Sequence, residues 1–175
     1  MKHNIVLTKS DKSVKGTVHL TGSKSECNRA LIIEALSNGK VKVDNISDAA
    51  DAVLLAGILR SDKQLAVGGN HSEIENPVPE INIGPAGTAM RFLTAFLPLQ
   101  DEEVILTGSA RMKQRPIGIL ADALREIGAR IDYVENEGFP PIHIKGSLVQ
   151  RSNKVSIKGD ISSQYITALL LIAPT

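Results

Sequence analysis

Cysteine and aromatic residues are scarce in this chain, and their scarcity excludes several kinds of protein. Cys27 is the single cysteine among 175 residues, so an internal disulfide cannot form and a reducing compartment is the expected environment. Aromatic residues make up 3% of the sequence and tryptophan is absent. This argues against the stacking platforms of single-stranded nucleic-acid binders. The four histidines show no metal-ligand spacing, so we expect no metal site.

The chain also lacks an excess of charge of either sign. Its 20 basic and 19 acidic residues give a formal net charge of +1, so no overall field attracts nucleic acid or an anionic membrane. No hydrophobic run approaches the length of a transmembrane helix, and residues 1–4 do not begin an apolar signal core. With 42% hydrophobic and 22% charged residues, the sequence is typical of one globular domain. We therefore expect a cytoplasmic mixed α/β protein with no nucleic-acid or membrane partner.

The most informative stretch is a strand that leads through a glycine loop into a helix. Residues 80–83 (EINI) alternate as a strand, Gly84 and Gly87 punctuate the loop, and residues 89–99 have the apolar spacing of an amphipathic helix. The unpaired N–H groups at the start of a helix favour an anion. With Thr88 at the predicted cap and Arg91 in the first turn, the segment is typical of a phosphate or carboxylate pocket.

The same order of strand, glycine, hydroxyl residues and helix occurs three times. The other loops begin at Gly22 and Gly159, 62 residues before and 75 residues after Gly84, which predicts an internal repeat. Strands are predicted at residues 4–7, 15–20, 41–43, 64–67, 80–83, 104–106, 129–133, 142–144 and 155–158. Helices are predicted at residues 28–36, 47 or 48 to 60, 89–99, 116–127 and 165–173. The second copy is β-α-β-α-β-β, and the third ends after its first helix.

Cations gather near these loops and helix starts: Lys24, Arg29, Arg91, Arg111, Lys113 and Arg115. If the three loops converge, these side chains surround one site. Several charge-assisted hydrogen bonds of roughly 1.5–3 kcal/mol each would then suit a ligand with more than one anionic group. For each cation alone, a solvated surface charge is the alternative. The sequence contains no Walker or dinucleotide-binding glycine motif, so it gives no support to a nucleotide site.

Four segments, in this order along the chain, resemble the EPSP synthase (3-phosphoshikimate 1-carboxyvinyltransferase) family: residues 22–31 (GSKSECNRAL), 86–91 (AGTAMR), 111–117 (RMKQRPI) and 162–164 (SSQ). The resemblance implies an α/β fold of repeated β-α-β-α-β-β units, the inside-out α/β barrel of enolpyruvyl transferases, with the third repeat truncated. It implies transfer of the carboxyvinyl group of phosphoenolpyruvate to the 5-hydroxyl of shikimate 3-phosphate, a step of aromatic amino acid biosynthesis. In this chemistry the phosphoenolpyruvate methylene is protonated, a tetrahedral intermediate forms and phosphate leaves. No cofactor is implied.

The resemblance also assigns residues to the two substrates. Shikimate 3-phosphate would be bound by Lys24, Ser25, Arg29, Ser162, Ser163 and Gln164. Phosphoenolpyruvate would be bound by Lys24, Gly87, Arg115 and Gln164, with Thr88 and Arg91 in support. Pro85 and Phe92 depart from the family, which usually has Asn and Pro at these positions, and the departures leave the loop geometry open.

The family has two domains of three repeats, and this chain resembles most of the first domain. We expect residues 1–21 to form N-terminal strands, the first of which joins a second domain that is missing here. Residues 22–175 are expected to form a first substrate-binding domain that is incomplete at its C-terminus. No catalytic residue is expected in this chain, because the family's proton-transfer groups belong to the second domain; the chain would bind substrates without turnover.

Two alternatives remain open. The sister enolpyruvyl transferase that acts on UDP-N-acetylglucosamine shares the fold, but it typically has Lys-Asn where this chain has Lys24 and Ser25. A non-catalytic anion-binding module of the same repeats belongs to a different functional class.

Overall fold

The computed structural model describes residues 8, 13, 15–61 and 78–175, which form helices packed against a mixed sheet. The helices are α1 (Lys24–Leu36), α2 (Ala50–Arg60), α3 (Gly87–Phe96), α4 (Gly118–Ile127) and α5 (Ser163–Ile172). The strands are β1 (Glu80–Asn82), β2 (Glu103–Thr107), β3 (Arg130–Tyr133) and β4 (Ile142–Lys145), and short 3₁₀ turns occupy Leu97–Leu99 and Met112–Gln114. Within the described ranges, none of these helices has the length and apolar character needed to span a membrane.

The second predicted repeat is present with the predicted order β-α-β-α-β-β, from β1 to β4. Its sheet has the order β1-β2-β4-β3, in which β1 and β2 are parallel and the other neighbours are antiparallel. Ile81 lies opposite Leu106, and Val104 and Ile131 both lie opposite Ile144. These five side chains are buried, because alternation places them on the single face that the helices cover.

Helix α3 lies at the centre of the helical layer, so the predicted helix is present but is not buried on one face alone, as an amphipathic surface helix would be. Every residue of α3 except Thr88 is buried, and the helix packs against α1, α2, α4, α5 and β2. Thr94 tolerates burial because its hydroxyl donates to the Met90 carbonyl at 2.7 Å. Burial of a side chain such as Leu93 contributes about 1.5–3 kcal/mol, so α3 stabilises the core through its contacts with all four other helices.

Three predicted strands are not found in the described part of the chain. Residues 15–20, 41–43 and 155–158 have no regular secondary structure, and Val18 and Leu20 are 78% and 89% exposed. A strand requires a neighbouring backbone that completes its ladder, and no described segment pairs with these residues. The predicted strands at 4–7 and 64–67 lie outside the described residues. The expected joining of the first strand to a second domain stays a prediction, as does the division at residue 21.

The helices are confirmed as elements, although their bounds differ from the predicted ones by up to four residues. Two of the differences concern the candidate site. Helix α3 begins at Gly87, so Ala86 is its N-cap and Thr88 lies within the first turn rather than at the cap. Helix α4 begins at Gly118, so Pro116 precedes the helix instead of starting it.

Candidate anion-binding site

The N-terminus of α3 is the centre of the candidate site. The Arg91 guanidinium folds back over the first turn, where its Nη1 donates to the Gly87 carbonyl at 2.7 Å. A Cβ atom on Gly87 would lie 2.7 Å from Arg91 Nη1 and would overlap the Arg115 guanidinium. Because Gly87 has no side chain, both guanidinium groups reach the start of the helix, where the first N–H groups have no partner within the helix.

The charge at this point is not neutralised by the described residues. Arg91 is only 6% exposed, and its buried Nε has no hydrogen-bond partner there. Burial lowers the pKa of Arg91 and the neighbouring Arg115 cation lowers it further, whereas the Tyr165 side chain acts in the opposite direction. No ion pair joins Arg91 or Arg115 to a carboxylate in residues 15–61 or 78–175. Two close cations without an anionic partner favour a bound anion.

The first turn of α5 brings the third repeat to the same place. Ser162 caps α5 by accepting the Gln164 N–H at 3.3 Å. Gln164 Nε2 then donates to Thr88 Oγ1 at 3.3 Å, across 76 residues of sequence. Ser163 is the first residue of the helix and is exposed. The predicted convergence of the second and third helix starts is therefore present.

Helix α1 supplies the third helix start, and its cations are differently placed. Arg29 lies over the ring of Phe92, 5.8 Å from the ring centroid, while its Nη1 donates to the Ser25 carbonyl at 2.6 Å. Phe92, one of the two departures from the family pattern, thus gives Arg29 an aromatic surface on α3. Lys24 pairs with Asp51 of α2 at 3.1 Å. No described contact joins Lys24 or the exposed Ser25 side chain to α3 or α5.

A cavity of about 420 Å³ opens beside Arg115 and is lined by Pro85, Ser109, Arg111, Met112 and Arg115. Pro85, the other departure from the family pattern, is exposed and forms part of this wall. Gly84 has a φ of +53°, and its carbonyl accepts the Ser109 N–H at 3.0 Å, which holds the two loops together. Lys113 points elsewhere, since its Nζ pairs with Glu135 at 2.6 Å. Of the basic run 111–115, the two arginines therefore face the cavity.

Two residues near the site were not singled out from the sequence. Tyr165 is 2% exposed; its hydroxyl donates to the Pro116 carbonyl at 2.7 Å, and its ring lies 5.8 Å from Arg91 Cζ. Asn28 is fully buried on α1, and neither atom of its amide has a partner in the described residues. The sequence contains no signal for Tyr165, because it lies at the start of an apolar run and its hydrogen-bond partner, the Pro116 carbonyl, is 49 residues away. Asn28 could have been noticed in the sequence, because it is a polar residue at a helix position that the apolar residues around it predict to be buried.

Comparison with known proteins gives a consistent result. The family model described as EPSP synthase (3-phosphoshikimate 1-carboxyvinyltransferase) matches residues 8–175. The 3-phosphoshikimate 1-carboxyvinyltransferase of Xenorhabdus nematophila is 43% identical over 172 residues, which cover 92% of this chain and 40% of that protein. The enzyme of the same name from Bacteroides fragilis is 45% identical over 168 residues, 96% of this chain and 37% of that protein.

A solved structure, the EPSP synthase from Acinetobacter baumannii, matches with a TM-score of 0.68 over 89% of this chain and 38% of that one, at 23% identity. At that identity the match concerns the fold, and the predicted α/β fold of the enolpyruvyl transferase type is confirmed. The chain spans about two-fifths of the length of the curated relatives named above.

Proposed function

The chain belongs to the EPSP synthase family, and from that premise we propose that it forms part of a site for shikimate 3-phosphate and phosphoenolpyruvate. The reaction would move the carboxyvinyl group of phosphoenolpyruvate to the 5-hydroxyl of shikimate 3-phosphate and release phosphate. One observation carries the proposal: the guanidinium groups of Arg91 and Arg115 meet over Gly87, with no carboxylate partner in the described part of the chain.

Phosphoenolpyruvate suits the side of the site formed by Gly87 and Arg115. It carries a phosphate and a carboxylate, and a guanidinium can bind either group through two parallel hydrogen bonds. The first N–H groups of α3 add donors and a favourable dipole at the same point. Gln164 lies at the boundary with the second substrate, because its amide is already held against Thr88.

Shikimate 3-phosphate suits the starts of α1 and α5, two helices that contact each other and both pack on α3. Arg29 and Lys24 supply positive charge from α1, and Ser25 supplies a hydroxyl. Ser162, Ser163 and Gln164 supply hydroxyls and an amide from the start of α5. A phosphate between two helix N-termini and an arginine is a favourable arrangement for charge-assisted hydrogen bonds.

Binding rather than turnover is the role proposed for these 175 residues. The described groups around Gly87 are cations, a hydroxyl and an amide, and none of them is paired with a carboxylate or a histidine that could exchange a proton. Such groups stabilise the negative charge of a departing phosphate. Protonation of the phosphoenolpyruvate methylene would require an acid from outside this set, so we expect no phosphate release by the chain alone.

Calorimetric titration of the chain with shikimate 3-phosphate tests the proposal. We expect saturable binding that Arg29→Ala weakens by about 10- to 100-fold, because a charge-assisted hydrogen bond in a desolvated site contributes roughly 1.5–3 kcal/mol. Arg151→Ala is the matched control, since this exposed arginine lies far along the chain from α1 and its backbone N–H, not its side chain, makes the contact with Ile127.

Shikimate and UDP-N-acetylglucosamine complete the set of ligands. Shikimate lacks the phosphate and should not bind measurably. Preference for UDP-N-acetylglucosamine would favour the sister transferase, and equal binding of inorganic phosphate and shikimate 3-phosphate would favour a general anion-binding module. Either result contradicts the proposed function.

A further inference from the structure

We infer that Tyr165 is a positioning residue that holds Arg115 against Gly87. The inference rests on the proposed function, because it concerns the same site. Its basis is a closed circuit of contacts. Tyr165 donates to the Pro116 carbonyl at 2.7 Å, Pro116 follows Arg115, and the Arg115 guanidinium lies against Gly87. Gly87 accepts from Arg91, whose guanidinium lies over the Tyr165 ring.

Arg115 requires an additional contact to stay beside Gly87, because it is exposed and a second cation lies close to it. It lies in an extended segment between the 3₁₀ turn Met112–Gln114 and α4, and it is exposed. Its guanidinium approaches that of Arg91, and like charges repel. Three hydrogen bonds hold the segment and the residue after it: the Arg115 N–H donates to the Met112 carbonyl at 2.9 Å, the Pro116 carbonyl accepts from Tyr165, and the Ile117 N–H donates to the Gly138 carbonyl at 2.8 Å. The second bond joins Arg115 to a different repeat.

Tyr165 is well suited to this role because it is almost fully buried. Its hydroxyl makes a partly buried hydrogen bond with the Pro116 carbonyl, and its ring offers a negative face to the Arg91 cation at the same time. Removal of the hydroxyl would take away the bond that ties the Pro116 carbonyl to α5 and would give Arg115 more freedom to move away from Gly87. Gln164 and the capping Ser162 belong to the same helix start.

The second tyrosine of the chain provides a matched control. Tyr133 also lies under an arginine, with Arg125 Cζ 4.7 Å from its ring centroid. Arg125 donates to the Ile131 carbonyl and to Asp122, and it has no contact with Gly87 or Arg115. Tyr165→Phe and Tyr133→Phe therefore remove the same atom from two arginine–tyrosine pairs, of which one belongs to the circuit.

The test combines a spectroscopic readout with a binding readout on the 175-residue chain. Proton–nitrogen spectra report the arginine Nε–H groups, and the Arg115 signal is assigned by its loss in Arg115→Lys. In Tyr165→Phe we expect this signal to shift or broaden in the free protein, and the Kd of phosphoenolpyruvate to rise about 3- to 10-fold. The Kd of shikimate 3-phosphate should change less than about twofold, and Tyr133→Phe should change none of these quantities.

An unchanged Arg115 signal in Tyr165→Phe would overturn the inference. An equal rise in the Kd of both ligands would also overturn it, because it would indicate a general loss of structure around the site. Failure of the unsubstituted chain to bind either ligand would instead contradict the proposed function. In that case the Arg115 signal still decides the inference, because it is read without ligand. A shifted signal in Tyr165→Phe with an unshifted one in Tyr133→Phe would support it.

Discussion

The first and second repeats carry the same order of motifs but use their cations differently. In the first, Lys24 pairs with Asp51, whereas Arg29, like Arg91 of the second, donates to the carbonyl four residues earlier in its own helix. In the second, Arg91 and Arg115 converge on Gly87 and have no carboxylate partner among the described residues. A cation after a glycine loop is therefore not by itself a ligand group. Its existing contacts decide how much of its charge is available.

The two repeats also differ in what holds them together. The second repeat has a hydrogen-bonded sheet, whereas the described part of the first is joined by side chains. Glu34 accepts the Val43 N–H at 3.0 Å and pairs with Arg60 at 2.8 Å, and Arg60 also donates to the Val43 carbonyl. The Glu34 carboxylate and the Arg60 guanidinium thus satisfy the N–H and the carbonyl of Val43, which in a sheet would be paired with a neighbouring strand.

The largest effect on ligand binding is expected from a substitution at Gly87, where the Arg91 and Arg115 guanidinium groups converge. Gly87→Ala would place a methyl group among the Arg91 and Arg115 guanidinium groups, which move away because they are the ends of flexible side chains. Loss of one charge-assisted contact would raise the Kd of phosphoenolpyruvate about 10- to 100-fold, with little change in the free energy of unfolding.

Gly57→Ala is the corresponding control in the first repeat. A methyl group on Gly57 meets no atom within 4 Å, and the residue lies inside α2. The substitution should increase the free energy of unfolding by about 0.5–1 kcal/mol through helix propensity and leave binding unchanged. Chemical denaturation measures the free energy of unfolding, and ligand titration measures the Kd. Equal changes of the Kd in Gly57→Ala and Gly87→Ala would contradict the assignment of the ligand contacts to the start of α3.

A smaller effect is expected from releasing a cation in the first repeat. Asp51→Asn removes the partner of Lys24, whose side chain is 48% exposed. Exposed ion pairs contribute about 0.2–1 kcal/mol, so affinity for shikimate 3-phosphate should rise by about 1.4- to fivefold in calorimetric titration. Asp122→Asn, which breaks the Arg125 pair on α4, is the control and should not alter binding. Weaker binding in Asp51→Asn would mean that Asp51 orients Lys24 instead of competing for it.

The smallest effect concerns the pH dependence of stability in the first repeat. The Val43 N–H and the Arg60 guanidinium lower the pKa of Glu34, and burial opposes them. Because the folded pKa lies below the ordinary value of 4.5, the stabilisation is fully present above that pH and is lost as pH falls through the folded pKa. The Tm difference between the unsubstituted chain and Glu34→Gln should therefore shrink as pH falls through this window. A constant difference over the same range would contradict this assignment.

Local patterns predicted those features that depend on neighbours in sequence. The helices and the second repeat were predictable because apolar spacing and glycine positions belong to short segments. Strands at 15–20 and 155–158 were predicted wrongly, since a ladder depends on a distant backbone that alternation does not reveal. The burial of Arg91 was hidden for the same reason: its neighbours Arg115 and Tyr165 come from later parts of the chain. The assignment of Arg115 and Gln164 to the same substrate came from the family resemblance, because apolar periodicity carries no information on ligand contacts.

Helix α3 has a consequence for synthesis, because it is buried on nearly all sides and its neighbours come from both directions along the chain. Helices α1 and α2 have already been made when α3 appears, but α5 has not. Gln164, at the start of α5, follows Thr88 by 76 residues. At roughly 5–20 residues per second, one flank of α3 stays uncovered for roughly 4–15 s during translation. Over that interval the nascent chain presents an apolar surface, so its yield in a cell depends on protection from aggregation until α5 has been made.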